Sequence, residues 1–197
     1  MPENTKLADY LLYLSYLTNK LNGFFEKQSP YIFCRKGCSK CCENGEYPFS
    51  RLEYDFIMIG FTKLPPETRE EILLKVKKIK QEKEKSNGEF CYECPFLINQ
   101  ECSVYEFRGI ICRSFGLMSI NPDGLSKIPF CAFEGLNYSN VVEPDTKIIS
   151  TEKYKKLGKN LPEPLAFNVS YKFLTSENIE ENFHLHFGDK KPLIDWF

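Results

Sequence analysis

Four of the nine cysteines of this 197-residue chain fall within nine residues, in the stretch CRKGCSKCC at positions 34–42. The C-x3-C-x2-C spacing of this first block keeps three sulfurs close to one centre before any ion arrives. The other five cysteines follow as Cys91, Cys94, Cys102, Cys112 and Cys131. Because thiolates are soft, charged ligands, the pattern predicts binding of zinc or iron, with an iron–sulfur cluster as one form of the iron.

The cellular compartment decides between metal ligands and disulfides. The N-terminal residues lack a basic segment, an unbroken apolar stretch and a small-residue cleavage site, which favours a cytoplasmic protein. Thiols stay reduced in the cytoplasm, and an odd number of cysteines fits a fully paired disulfide set poorly. We therefore interpret the cysteines as metal ligands and not as a disulfide framework.

Charge and hydropathy limit the other partners. The formal net charge is −1, whereas a nucleic-acid surface needs concentrated lysine and arginine. No run approaches the roughly 20 apolar residues of a membrane span. We expect metal ions as partners, together with a protein partner or substrate, and neither nucleic acid nor membrane.

The adjacent pair Cys41 and Cys42 bears on the number of centres. Consecutive side chains point to opposite faces of a strand, or about 100° apart on a helix. We therefore expect the two sulfurs to point apart and to serve two neighbouring centres, or Cys42 to face the second group of cysteines. Two centres with four thiolates each would use eight of the nine cysteines. A single centre with additional structural thiols is the alternative.

Local patterns predict the helices that carry or flank these blocks. Apolar residues at three- and four-residue spacing predict an amphipathic helix over residues 5–28. The S-x-x-E pattern from Ser50 to Glu53 is a capping box that should begin a helix ending near Gly60. Pro65-Pro66 should open a further helix over about 66–86. The first cysteine block therefore lies on a loop that leads into a helix.

Turn signals organise the second half of the chain. The stretch PFLINQECSVY predicts a small hairpin turning at Asn99-Gln100. The segment around Cys112 is apolar and predicts a strand or a short helix. Asn-Pro-Asp-Gly at 121–124 predicts a turn. His184-Leu-His186 is interpreted as a strand with two imidazoles on one face, which is typical of an edge strand and could also complete a metal site.

The predicted fold class is mainly α with a small irregular β region, as a cysteine-rich metal-binding domain. Residues 1–30 should form a helix that packs on the core. Residues 31–135 should form the cysteine-cluster domain, with a helical insertion over 51–87. Residues 136–197 should form a C-terminal tail that packs on the same domain.

The two cysteine blocks together resemble a known family. CRKGCSKCC has the C-x3-C-x2-C-C signature of the YkgJ-type cysteine-cluster family. The second block is similar to the family's pattern in three pieces, Cys94-Pro-Phe-Leu, Cys102-Ser-Val-Tyr and Arg108-Gly-Ile-Ile-Cys112-Arg113. Members are described as candidates for zinc or iron chelation, and related domains occur in flagellin lysine N-methylases. Gly109 departs from the pattern, since the family usually has proline there.

The resemblance spans residues 34–131 and implies a ligand set. That set is Cys34, Cys38, Cys41, Cys42, Cys94, Cys102, Cys112 and Cys131. Cys91 lies outside the family pattern and is therefore the cysteine left over. Four thiolates around Zn²⁺ carry a net charge of −2, so Arg108 and Arg113 are expected to donate to the sulfurs and offset that charge.

Three functions follow from these observations. The first is a cytoplasmic protein that binds zinc or iron through thiolates of the two blocks, 34–42 and 91–131. The second is an iron–sulfur enzyme, because C-x3-C-x2-C is also the spacing of radical S-adenosylmethionine enzymes, and the resemblance implies an S-adenosylmethionine-dependent protein-lysine methyltransferase. The third is an interaction module whose metal only shapes a binding surface.

Overall fold

The computed structural model describes residues 3–35, 37–88, 90–158 and 160–197. The helices are α1 Glu3–Lys27, α2 Lys40–Glu43, α3 Arg51–Thr62, α4 Pro66–Lys83, α5 Ile110–Ser114, α6 Thr151–Leu157, α7 Tyr171–Leu174 and α8 Glu177–Phe183. The strands are β1 Pro48–Ser50, β2 Leu97–Ile98, β3 Glu101–Cys102, β4 Ser119–Ile120, β5 Ser126–Lys127, β6 Val142–Glu143, β7 Ile148–Ile149 and β8 Lys190–Pro192. Short 3-10 helices occupy Ser29–Tyr31, Tyr105–Phe107, Phe130–Glu134 and Leu193–Trp196.

These elements confirm the predicted fold class. Helices dominate, and the strands are two or three residues long and form antiparallel pairs, β1 with β8, β2 with β3, β4 with β5, and β6 with β7. Sheets this small have little apolar face to bury, so helix packing and loop contacts must supply most of the core.

The chain folds as two compact units. Unit 1 contains Met1–Lys36 and Arg113–Phe183, and unit 2 contains Gly37–Cys112 and His184–Phe197. Cys34 and Cys131 belong to unit 1, and the other seven cysteines belong to unit 2. The domain boundaries expected near residues 30 and 135 stay a prediction.

Helix α1 supplies much of the core of unit 1. The residues that it buries recur at three- and four-residue spacing, as expected for an amphipathic helix, and they are Tyr10, Tyr13, Leu14, Leu17 and Leu21. The Tyr13 hydroxyl donates to the Leu174 carbonyl at 2.6 Å, and its ring lies 5.0 Å from that of Phe183. The helix predicted over 5–28 is confirmed as a core-facing element.

The turn predicted at 121–124 is also found in unit 1. It joins β4 to β5, and the Gly124 amide donates to the Asn121 carbonyl at 2.9 Å. Gly124 has a φ of +80°, a conformation that favours glycine. The Asn-Pro-Asp-Gly signal is therefore confirmed by the backbone.

Helices α3 and α4 form the frame of unit 2. Ser50 caps α3, and both hydrogen bonds of the capping box with Glu53 are present. Helix α4, predicted over about 66–86, runs from Pro66 to Lys83 and buries Ile72, Val76 and Ile79 on one side. Both helices contribute to one hydrophobic core with the aromatic residues of the second cysteine block.

The C-terminal segment of unit 2 packs beside the start of α3. The Arg51 amide donates to the Asp189 carbonyl at 3.0 Å, next to the pairing of β1 with β8. The interpretation of residues 184–186 as a strand is wrong, because His184 has a φ of +54° and β8 begins only at Lys190. Both imidazoles are exposed, while Leu185 between them is buried.

Within the described ranges, no helix combines the length and the apolar character needed to cross a membrane.

Candidate metal centre

Helix α2 presents the adjacent cysteines of the first block. The Cys42 amide donates to the Ser39 carbonyl at 2.7 Å, which closes the single turn of this four-residue helix. Ser39 Oγ and Lys40 Nζ donate to the two carboxylate oxygens of Glu43 at 2.6 and 2.8 Å. These bonds across one turn hold a helix that is too short to be stable alone.

The sulfurs of Cys41 and Cys42 lie 3.8 Å apart. The expectation that they point apart is therefore wrong. Backbone geometry separates consecutive Cα–Cβ bonds by about 100° on a helix, but rotation about χ1 can still bring the two sulfurs together. The inference of two centres, which rested on diverging sulfurs, loses this support and stays a prediction.

Backbone hydrogen bonds join the two cysteine blocks directly. The Cys94 amide donates to the Cys42 carbonyl at 2.7 Å, and the Gly45 amide donates to the Tyr92 carbonyl at 3.2 Å. A Cβ at Gly45 would lie 2.5 Å from the ring of Tyr47, so a side chain at this position would require a shift. These bonds thus fix the end of the first block to the segment from Tyr92 to Cys94.

The hairpin of β2 and β3 positions Cys102. The φ values of its two turn residues are +51° at Asn99 and +63° at Gln100. A two-residue hairpin turn of type I′ requires positive φ at both central positions. Cys102 pairs in register with Leu97, whose amide donates to the Cys94 carbonyl at 3.0 Å. The predicted hairpin is confirmed, and it sets Cys102 beside Cys94.

Glu53 links the capping box of α3 to the helix that carries Cys112. One carboxylate oxygen accepts from the Ser50 amide and hydroxyl at 2.9 and 2.7 Å, and the other accepts from the Ile110 amide at 2.8 Å. Glu53 is fully buried, so each of these bonds compensates the loss of water around the charge. The segment around Cys112 is a short helix, α5, whose first residue Glu53 holds.

The position of Gly109 depends on the same contacts. A Cβ on Gly109 would lie 2.6 Å from the Phe49 ring and 2.9 Å from a carboxylate oxygen of Glu53. These separations are shorter than real Cβ contacts, so the Phe49 ring occupies the space that a side chain would need. In this chain, glycine at the position where the family usually has proline matches the local packing.

Four thiols of unit 2 interact electrostatically in every pairwise combination. They are Cys41, Cys94, Cys102 and Cys112. Burial, with smaller contributions from neighbouring Cys102 and Cys41, raises the pKa of Cys94 to about 12. Burial, followed by the charges of the other three thiols, raises the pKa of Cys112 well above its ordinary value.

The pKa values of the other two thiols are also raised. For Cys41 the largest cause is its hydrogen bond with Cys42, followed by burial. For Cys102 the largest cause is burial, and the charge of Cys41 adds to it. Without a cation, therefore, these four sulfurs are held in their neutral, protonated form.

Two cations lie near this group. Arg108 lowers the pKa of Cys41 and of Cys102, against the larger effect of burial, and its guanidinium lies 3.7 Å from the centroid of the Tyr105 ring. Lys75 lowers the pKa of Cys94, and its ammonium donates to Glu93 and to the Leu97 carbonyl. Both groups can offset negative charge on thiolates.

Several predicted site residues lie elsewhere. Arg113 lies in the last turn of α5 and belongs to unit 1. In unit 2, Cys38 is partly exposed and Cys91 is exposed. In unit 1, Cys34 is exposed and Cys131 is buried. The roles that the sequence predicts for Arg113, Cys34, Cys38 and Cys131 stay predictions.

The chemistry of the four thiols fits a soft metal ion, although a closed coordination shell is not formed. All nine cysteines lie in the described ranges and are thiols, with no disulfide among them. Among the described side chains, no three of His, Cys, Asp and Glu converge closely enough to hold an ion. The four sulfurs would therefore have to approach one another when the ion binds. Such movement is expected where metal binding is coupled to local folding.

Sequence reasoning missed three residues around this group. Tyr47 is half-buried, and burial followed by the charges of nearby cysteines raises its pKa. Glu53 was predicted as a capping residue, but nothing in the S-x-x-E pattern indicates its bond to Ile110. Lys75 lies on α4, outside both cysteine blocks, yet its ammonium donates to the Leu97 carbonyl between Cys94 and Cys102.

The family comparison agrees with the cysteine blocks. Residues 33–132, just over half of the chain, match the family model CxxCxxCC, described as "Putative zinc- or iron-chelating domain". The chain belongs to this family, which confirms the resemblance read from the two blocks. It matches no curated protein and no solved structure.

Proposed function

We propose that the protein binds one zinc or iron ion through the thiolates of four cysteines of unit 2. The four are Cys41, Cys94, Cys102 and Cys112. The observation that supports this choice is that each of these thiols shifts, or is shifted by, the charge of the other three. They come from both cysteine blocks, and four thiolates complete the tetrahedral shell that structural zinc prefers.

Burial and charge explain why a cation is favoured. Burial raises the pKa values of Cys94, Cys102 and Cys112, and the hydrogen bond with Cys42, followed by burial, raises that of Cys41. Ionising these thiols without a cation is therefore costly. A bound Zn²⁺ or Fe²⁺ would supply the positive charge that makes the thiolates stable, with release of the thiol protons. Arg108 and Lys75 would then offset the net negative charge of a four-thiolate site.

A four-thiolate site points to a structural role for the metal. Catalytic zinc sites keep a position open for water or substrate, whereas closed four-cysteine sites hold the chain together. The residues concerned join α2, the β2–β3 hairpin and α5 within unit 2. The metal would thus fix three short elements whose own hydrogen bonds are few.

Metal and sulfide analysis of protein purified without oxygen tests this proposal. We expect about one zinc or iron ion per chain and no acid-labile sulfide. A brown protein that contains sulfide would instead favour the iron–sulfur enzyme, and protein without zinc or iron would contradict the proposal. The protein-lysine methyltransferase stays a hypothesis from the resemblance.

Matched serine substitutions identify the ligands. Cys94→Ser should remove most of the bound metal, because it deletes one of four ligands. Cys91→Ser, three positions earlier on the same segment, should retain the wild-type metal content, since Cys91 is exposed and outside the group. Equal metal content in the two variants would contradict the ligand set.

A further inference from the structure

Cys42 belongs to the ligand set that the family resemblance implies, which stays a prediction, but the four-cysteine site proposed above does not use its thiol. Its sulfur lies 3.8 Å from that of Cys41, and both side chains are partly exposed at the surface of unit 2. We propose that Cys41 and Cys42 form a chelating dithiol site for trivalent arsenicals. This goes beyond zinc or iron binding and shares only Cys41 with the site proposed above.

The spacing of the two sulfurs suits a single bridging atom. Trivalent arsenic is pyramidal, so two sulfurs bound to it lie somewhat closer together than the 3.8 Å observed here. Rotation about χ1 of the two cysteines can close this small difference without movement of the backbone. Trivalent arsenic is thiophilic and forms two bonds to sulfur when its third position carries an organic group.

The reaction conserves oxidation state. A phenylarsine oxide, with arsenic bound to one phenyl group and one oxygen, reacts with two thiols. Two arsenic–sulfur bonds form and the bonds from arsenic to oxygen break. The oxygen leaves as water with the two thiol protons, and arsenic stays trivalent. No oxidant or reductant is required.

The second arsenic–sulfur bond makes the pair selective over isolated thiols. After the first bond forms, the second thiol is already held beside the arsenic, so closing the ring is an intramolecular step. Such steps gain about 100-fold or more over binding by one group. The exposed thiol of Cys91 has no adjacent cysteine in the sequence and should therefore bind the arsenical far more weakly.

Titration of the metal-free, reduced protein with phenylarsine oxide tests the site. We expect wild-type protein to bind about one arsenical, with affinity reduced about 100-fold or more in Cys41→Ser and in Cys42→Ser. Cys91→Ser is the matched control and should bind as wild type does. Unchanged affinity in Cys42→Ser would overturn the proposal.

Zinc or iron content of the same variants separates this inference from the proposed function. Cys42→Ser should lose the arsenical and keep the metal, whereas Cys94→Ser should lose the metal and keep the arsenical. Arsenical binding at the pair in a protein that takes up no zinc or iron would contradict only the proposed function. Zinc or iron binding without arsenical binding would contradict only the dithiol site.

Peptide mapping of wild-type protein makes the result independent of how the variants fold. Bound phenylarsine oxide should protect Cys41 and Cys42 from alkylation, while Cys91 stays reactive. Protection of other cysteines instead of this pair would overturn the proposal. Fluorescence of Trp196, whose indole donates to the Phe49 carbonyl at 2.9 Å in unit 2, reports whether each variant is folded.

Discussion

The cysteines of the two units are held by different kinds of contact. In unit 2, a backbone bond from Cys94 to Cys42 joins the two blocks, and four thiols interact electrostatically. In unit 1, the buried side chain of Asn137 accepts hydrogen bonds from the Phe33 and Cys34 amides at 2.8 and 2.7 Å. In unit 1, therefore, the side-chain amide of Asn137 fixes the backbone at Cys34, whereas in unit 2 a backbone bond joins the two cysteine blocks.

This difference shows that cysteine spacing alone does not define a ligand set. Cys34 and Cys38 are four positions apart in one motif, yet they belong to different units. Asn137 also donates to the Gly116 carbonyl at 3.0 Å, so a single amide organises three backbone groups around Cys34. We therefore expect metal removal to affect unit 2 and loss of Asn137 to affect unit 1.

Removal of the metal should give the largest effect. A ligand at 1,000 times its dissociation constant stabilises the folded state by about 4 kcal/mol, and chelation removes that stabilisation. Urea unfolding, followed by fluorescence of the single tryptophan, Trp196 in unit 2, should shift to lower urea after chelation. An unchanged unfolding midpoint would contradict metal binding in unit 2.

Glu53→Ala should give the next largest effect. It leaves the Ser50 amide, the Ser50 hydroxyl and the Ile110 amide buried without their acceptor, a loss of at least about 3 kcal/mol in the free energy of unfolding. Because Glu53 holds the first residue of α5, metal affinity should also fall about 10- to 100-fold. Competition with a metallochromic chelator measures this affinity. A variant that is destabilised but binds metal with wild-type affinity would show that Glu53 stabilises the fold without positioning the metal ligands.

Asn137→Ala is the corresponding change in unit 1. Asn137 is fully buried and makes three hydrogen bonds to backbone groups, so its loss should lower the free energy of unfolding by about 2 kcal/mol. Thermal unfolding by circular dichroism measures this change. Metal content should stay at the wild-type level, and a loss of metal would show that the comparison between the units is wrong.

Cys91→Ser should give the smallest effect. Its side chain is exposed, so we expect a change in the free energy of unfolding within about 0.5 kcal/mol. Metal content and urea midpoint should both match wild type. A clear loss of metal would show that Cys91 is a ligand, although it lies outside the family pattern.

Features fixed by neighbouring residues could be predicted from the sequence. Ser50 and Glu53 determine the start of α3 through a local capping box, and Asn99-Gln100 determines the hairpin turn. The bond from Glu53 to Ile110 spans 57 positions and has no local signature. The spacing of the Cys41 and Cys42 sulfurs depends on side-chain rotation, which backbone periodicity does not determine.

The most direct test of the central claim is residue-by-residue alkylation of the metal-loaded and metal-free protein, read by mass spectrometry. Coordination should protect the four cysteines proposed as ligands, and chelation should restore their reactivity. Those cysteines are Cys41, Cys94, Cys102 and Cys112. Cys91 should react equally in both forms. Equal labelling of all four with and without metal would contradict the account.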